Sequence, residues 1–186
     1  MRLYSQALTA IIFTGFILGN TASAVKAGKL EVRFLYLSPG TEDPTYHTAI
    51  WLEDEGGKLI QTLYVSNELS ATEHKLGTVC PDWVKQAGWT KAPKALVDAV
   101  TGPTPNVGSG SMTFDLGALG IAAGTYRFRM QVHIIEQYNI LFEGKLTVGD
   151  SGQDVKIETL YQPNKPDIGT DVVKDVRVHY APAAAN

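Results

Sequence analysis

A single cysteine, Cys80, stands in the 186 residues, so no internal disulfide can form. A chain of this kind must hold its fold on a packed core alone. The lone thiol is either buried and inert or exposed and reactive, and free cysteine is among the most buried residue types. Runs of Lys or Arg are absent and the net charge is −3, which argues against nucleic acid or an anionic membrane as partner. Metal-ligand spacings of the H-x-H, H-x-x-x-H or C-x-x-C kind are missing, as are a G-x-S-x-G elbow, a C-x-x-C-H haem site, a phosphate loop and a dinucleotide fingerprint. There is no internal repeat, and the only compositionally biased stretch is the Ala-rich end.

What is present begins with an export signal. Residues 1–6 carry one charge, Arg2; residues 7–18 are apolar; and Ala22-Ser23-Ala24 offers the small-residue pattern that a signal peptidase accepts. Twelve apolar residues fall short of the ~20 that a membrane-spanning helix needs. The chain is therefore expected to be exported and cut after Ala24. Of the 186 residues, 162 then remain, with charge −4, about one domain in size, with no further stretch able to span a bilayer. The expected layout is a signal peptide over 1–24, one domain over 25–180 and a disordered tail over 181–186. The expected address is the periplasm.

The mature chain alternates like a β protein. In residues 30–37, Leu30, Val32, Phe34 and Tyr36 share one face. Residues 46–54 carry apolar groups on both faces, which predicts a central strand, and Gly56-Gly57 predicts a hairpin into a strand over 59–65. Further strands are expected over 111–116, 125–136, 139–148, 155–161 and 172–180. In 125–136, Tyr126, Phe128, Met130, Val132 and Ile134 oppose Arg127, Arg129, Gln131 and His133. Matching this strand's apolar face to Ile140, Phe142 and Leu146 requires an odd-length turn. A three-residue turn over 137–139 sets His133 opposite Glu143 and Gln131 opposite Lys145, on an outer face that forms a charged ladder.

About eight strands with little helix predict an all-β, antiparallel sandwich. Residues 67–107 interrupt the pattern with four prolines, Trp83, Trp89, Cys80 and short helices expected over 82–87 and 94–100. A connection this long, irregular and partly helical often carries function.

Several pieces together resemble a known family. Ala49-Ile50-Trp51-Leu52-Glu53-Asp54, then Gly57-Lys58, then Gln61-Thr62-Leu63-Tyr64-Val65, is similar to the "A-V-W-I-E-D … G-K … R-T-L" opening of the predicted periplasmic proteins grouped as domain of unknown function 2271. The Trp83 and Trp89 segment resembles that family's tryptophan-bearing middle. Asp98-Ala99-Val100-Thr101-Gly102-Pro103-Thr104 resembles its "D-A-V-S-G-A-T" element, and Ala123-Gly124-Thr125-Tyr126 its "P-P-G-x-Y" approach to a late strand. The chain departs from the family at Gln61, where Arg is common, and at Phe114-Asp115, where Trp-Asp is common. The resemblance implies a periplasmic, immunoglobulin-like β-sandwich and no particular reaction.

The candidate sites are few. Trp51, Trp83 and Trp89 suit partner or ligand contact, or else pin the long connection to the sheet as a satellite core. Arg127, Arg129 and His133 suit an anionic group, or else form a solvated sheet face. His47, His74 and Cys80 are the candidate metal ligands; a His and Cys pair suits copper or zinc, but one pair is half a site. Cys80 with His74 as a catalytic pair is the weaker idea, because Pro81 follows the Cys and no helix is placed to activate it. The reading is a non-enzymatic accessory or binding protein of the periplasm, taking a protein partner or a small ligand. The alternative is a periplasmic metal-handling or redox protein using Cys80 and histidines. No cofactor is specified by the sequence.

Overall fold

A computed structural model of the chain describes residues 28–38, 46–165 and 172–184. The export signal and its cleavage site lie outside the described residues, as do most of the loop after β1 and the loop before the last strand.

Among the described residues, ten strands form two sheets. The four-stranded sheet has the order β5-β1-β10-β8, built from β1 (Lys29–Tyr36), β5 (Gly108–Asp115), β8 (Gln153–Val155) and β10 (Val173–Ala181). The six-stranded sheet has the order β4-β3-β2-β6-β7-β9, built from β2 (Thr48–Glu53), β3 (Leu59–Ser66), β4 (Thr101–Gly102), β6 (Gly124–Ile135), β7 (Tyr138–Val148) and β9 (Glu158–Gln162). Every pairing is antiparallel except the short parallel contact of β3 with β4.

The expected alternation closes the sandwich. Leu30, Val32, Phe34 and Tyr36 from β1 and Val178 and Tyr180 from β10 meet Ile50, Leu52, Phe128, Met130, Val132, Ile140, Phe142 and Leu146 from the other sheet in one dry core. Burying each such side chain contributes roughly 1.5–3 kcal/mol. β2 lies between β3 and β6, and all six of its residues are buried. Its two faces are covered by different layers: Ile50 and Leu52 enter the core between the sheets, while Ala49 and Trp51 lie in a second cluster with residues of the 67–107 connection.

Three expectations are corrected. The expected strand over 155–161 is two strands in different sheets, joined by Lys156 and Ile157, which cross from one sheet to the other. The crossing runs over Gly144, where an added Cβ would lie 2.5 Å from the Lys156 carbonyl oxygen. The β6–β7 turn is tighter than expected. His133 pairs with Asn139 and Gln131 with Leu141, so it is Arg129 that faces Glu143 and Arg127 that faces Lys145. The parity of the reading is kept, but an irregularity between His133 and Ile135 absorbs the difference in turn length. Finally, the odd-numbered face of β6 is not an open ladder, because residues 67–107 lie over much of it.

That connection is built from α1 (Asn67–Ala71), α2 (Pro81–Ala87) and α3 (Lys94–Val100), with single 3₁₀ turns at Glu73–Lys75 and Trp89–Lys91. Pro81 starts α2 where its missing N–H matters least, and Gly88 ends it in the left-handed conformation at φ 54°. α1 was not expected from the sequence.

Candidate functional site

The pairing of β2, β6, β7 and β9 sets the outer face of the six-stranded sheet in rows. Glu53, Arg127 and Lys145 form one row; Trp51, Arg129, Glu143 and Glu158 form the next. Gln131, Leu141 and Leu160 follow, then His133, Asn139 and Gln162. The His133 N–H donates to the His47 carbonyl at 2.9 Å, so His47 extends the last row.

The connection docks on these rows through a second core of Ala49, Trp51, Val65, Leu69, Val79, Cys80, Trp83, Trp89, Val100 and Leu141. Each indole N–H finds a partner: Trp51 donates to Glu53 Oε1 at 2.8 Å, Trp83 to Thr62 Oγ1 at 3.2 Å and Trp89 to the Ser70 carbonyl at 3.1 Å. Sheet side chains also serve the helix ends. Gln131 Oε1 accepts from the backbone N–H groups of Asp82 and Trp83, and Asn139 Oδ1 accepts from that of Cys80. These are the free donors at the start of α2, satisfied from the sheet rather than by a local cap.

Glu53 is the centre of this face and is fully buried. Its Oε1 accepts from Trp51, from Gln86 Nε2 at 3.0 Å and from Arg129 at 3.1 Å. Its Oε2 makes no hydrogen bond and stands 3.6 Å from the guanidinium of Arg127. Arg129 also meets Glu143 at 3.1 Å and Asp82 at 3.5 Å, and lies over the Trp51 ring. A buried carboxylate needs such partners, since its desolvation cost is several kcal/mol.

At the far end of the face, His47 and His133 stack as cross-strand neighbours, with ring centroids 5.9 Å apart and neither Nδ1 hydrogen-bonded. Burial holds His133 down to about 4 and also lowers His47. Glu68 comes within 3.8 Å of His47 Nδ1. Cys80 is fully buried, and its thiol donates to the His47 carbonyl at 3.3 Å. Burial pushes that thiol well above the ordinary range, away from the nucleophilic form.

Beyond the edge of the connection the same face opens into a cleft of about 500 Å³. Arg127, Lys145 and Lys156 supply its cations, and Glu55, Glu143, Asp154 and Glu158 its carboxylates. Glu143 is paired with Arg129, and Asp154 with His179 at 2.7 Å. Neither Lys145 nor Lys156 has a carboxylate within ion-pair distance among the described residues. Arg127 and Lys145 are directly opposed across β6 and β7, a like-charge pairing that disfavours the sheet unless something offsets it. A shallower hollow of about 480 Å³ lies between Asn67, Glu68 and residues 101–104.

The sequence candidates divide among these places. Trp51, Trp83 and Trp89 are buried in the second core. Arg129 and His133 are covered by the connection, while Arg127 is 45% exposed at the cleft. His47 and Cys80 adjoin, but His74 is bonded to the Leu69 carbonyl instead. No three His, Cys, Asp or Glu side chains among the described residues are grouped to hold an ion. Glu53, Gln131, Asn139 and Lys156 were not singled out from the sequence. The one available signal was an acidic residue, Glu53, on a strand otherwise apolar on both faces.

No helix among the described residues is long and apolar enough to cross a membrane. A family model described as "Predicted periplasmic protein (DUF2271)" matches residues 21–160. No curated protein and no solved structure matches the chain.

Proposed function

Because the chain belongs to the DUF2271 family of predicted periplasmic proteins, we propose that it works there as a non-enzymatic binding module, exported and cut after Ala24, with the Arg127 cleft as its site. The carrying observation is the opposed Arg127–Lys145 pair, joined by Lys156 in one concave space. Arg127 is already met by Glu53, but Lys145 and Lys156 have no carboxylate in ion-pair distance among the described residues, and a small ligand with an anionic group would bridge them.

The connection supports this reading from behind. Gln86 ties α2 to Glu53 and to the Gly57 carbonyl, Glu53 faces Arg127, and Arg127 reaches the cleft. A cation so held loses little freedom on binding. The sandwich itself we read as immunoglobulin-like, on the strength of two facing sheets that close over an alternating apolar core.

The metal-handling alternative, expected from the sequence to use Cys80 with His47 and His74, would rest instead on His47 and His133, whose buried Nδ1 atoms make no hydrogen bond. One screen addresses both. The mature protein is melted with citrate, inorganic phosphate and pyrophosphate, and with copper, zinc, haem and flavins. A ligand at 100 times its dissociation constant adds about 2.7 kcal/mol. An anion should raise the melting temperature, and the Lys145→Ala/Lys156→Ala variant should lose that rise while melting normally without ligand. A shift with copper or zinc alone, lost in His47→Ala, would replace the cleft reading with the metal one. An anion shift that survives the double variant overturns the cleft.

A further inference from the structure

The four edges of the two sheets are unequal. Among the described residues, β4 has two residues and β8 three. β9 has five, begins with Glu158 and stops before Pro163. β5 has eight, GSGSMTFD, and pairs with β1 on one side only, without a register shift. Natural edge strands are protected from association by brevity, Lys, Pro or a bulge. β5 has none of these, and residues 108–114 bear no charge.

We propose that β5 is an interface, pairing antiparallel with the β5 of a second copy about a twofold axis through Ser111. The side chains of β5 fit this arrangement and select the register. In an antiparallel pair, opposed residues lie on one face, so a self-pairing must match even residues with even and odd with odd. Centred on Ser111, it sets Ser111 against Ser111, Ser109 against Thr113, Gly110 against Met112 and Gly108 against Phe114. Each large side chain of the core-facing row then meets a glycine, and the outward residues that pair, Ser109, Ser111 and Thr113, all carry hydroxyls; Asp115 lies beyond the paired stretch.

Gly110 adds an independent reason. An added Cβ there would lie 2.2 Å from Cε2 of Phe34, so the Phe34 ring already occupies the space a side chain would use. The second copy's Met112 would come to rest beside that ring, a favourable sulfur–aromatic contact. The two four-stranded sheets would become one of eight strands, with the Arg127 cleft, which β8 lines at the edge opposite β5, left unobstructed. A second copy is favoured over a foreign strand because the pattern is complementary to itself.

Sedimentation equilibrium on the leaderless protein tests the proposal. A reversible dimer is expected, and a monomer at all concentrations up to millimolar overturns it. Ser109→Lys/Thr113→Lys places like charges opposite one another twice across the axis and should weaken the dimer at least about tenfold. Ser109→Glu/Thr113→Lys makes the same two contacts opposite in charge and should restore it. Both variants should melt as the parent monomer does, since within one chain Thr113 opposes Glu31 and Ser109 opposes Leu35. A dimer indifferent to the first variant, or lost equally in both, places the interface elsewhere and overturns the proposal.

Discussion

The two faces of the six-stranded sheet are held to their neighbours by different forces. The inner face meets the four-stranded sheet through side chains such as Phe128, Val132 and Leu146, all fully buried and all apolar. The outer face meets the connection through a smaller apolar core, which holds all three tryptophans, and through a set of directional contacts from Glu53, Arg129, Gln131 and Asn139 that the inner face lacks. Apolar burial is non-directional, whereas a buried carboxylate depends on the geometry of each of its partners. The inner contact therefore sets how much stability the fold has, and the outer contact sets where one irregular segment comes to rest.

The largest expected effect comes from removing the acid at the centre of the outer face. Glu53→Ala takes away one of the two carboxylates 3.1 Å from Arg129, itself only 13% exposed, leaves the buried Trp51 indole N–H and the Gln86 amide without their acceptor, and should cost about 3–5 kcal/mol. Hydrogen exchange should show the loss first in α2 and its flanks, with β6 and β7 still protected. Pairing the change with Arg129→Met should cost clearly less than the sum of the two single changes, because no buried charge is then stranded. Additive costs would mean that the two residues do not act together and would remove the distinction between the faces.

A smaller effect is expected from acid. Burial holds His133 down to about 4, against 6.5 for the free side chain, and lowers His47 in the same direction. Above pH 6.5 both folded and unfolded chains keep these rings neutral. Below it the unfolded chain takes up protons that the folded one refuses, so stability falls as the pH drops from 6.5 towards 4. His133 alone accounts for up to about 3 kcal/mol over that window. Glu68 and Glu73, which favour the charged form of His47, reduce its share. Urea melts of the parent and of His133→Gln across this range should diverge progressively toward acid, and parallel curves would refute the assignment.

The sequence showed the strands and their inward faces because alternation is local: Leu30 to Tyr36 and Tyr126 to Val132 display it within a few residues. It showed α2 and α3 through Pro81, Gly88 and Pro93 for the same reason. It could not show that the charged face of β6 is covered, because the cover arrives from residues 67–107 and its anchors, Gln131 and Asn139, bond to backbone groups some fifty to sixty residues away. Nor could it show that the single strand expected over 155–161 divides between two sheets, since the division depends on Gly144 lying beneath the crossing. The cleft is a product of both, and its cations come from β6, β7 and the crossing itself.

The smallest expected effect concerns Cys80, where the connection turns into α2. The residue is held at φ 45°, a left-handed conformation that costs a residue with a side chain on the order of 1 kcal/mol and costs glycine little. Its N–H bond to Asn139 and the start of α2 at Pro81 impose that geometry. Cys80→Ala keeps the strain but loses the thiol's contact with the His47 carbonyl and a buried sulfur, and should cost on the order of 1 kcal/mol. Cys80→Gly loses slightly more buried volume yet relieves the strain, so its denaturation midpoint should equal or exceed that of Cys80→Ala. Ordinarily glycine is the worse of the two replacements at a buried position. If it is worse here by 1 kcal/mol or more, the left-handed conformation at residue 80 holds no strain for glycine to relieve, and the claim that the contacts from the sheet impose that geometry fails.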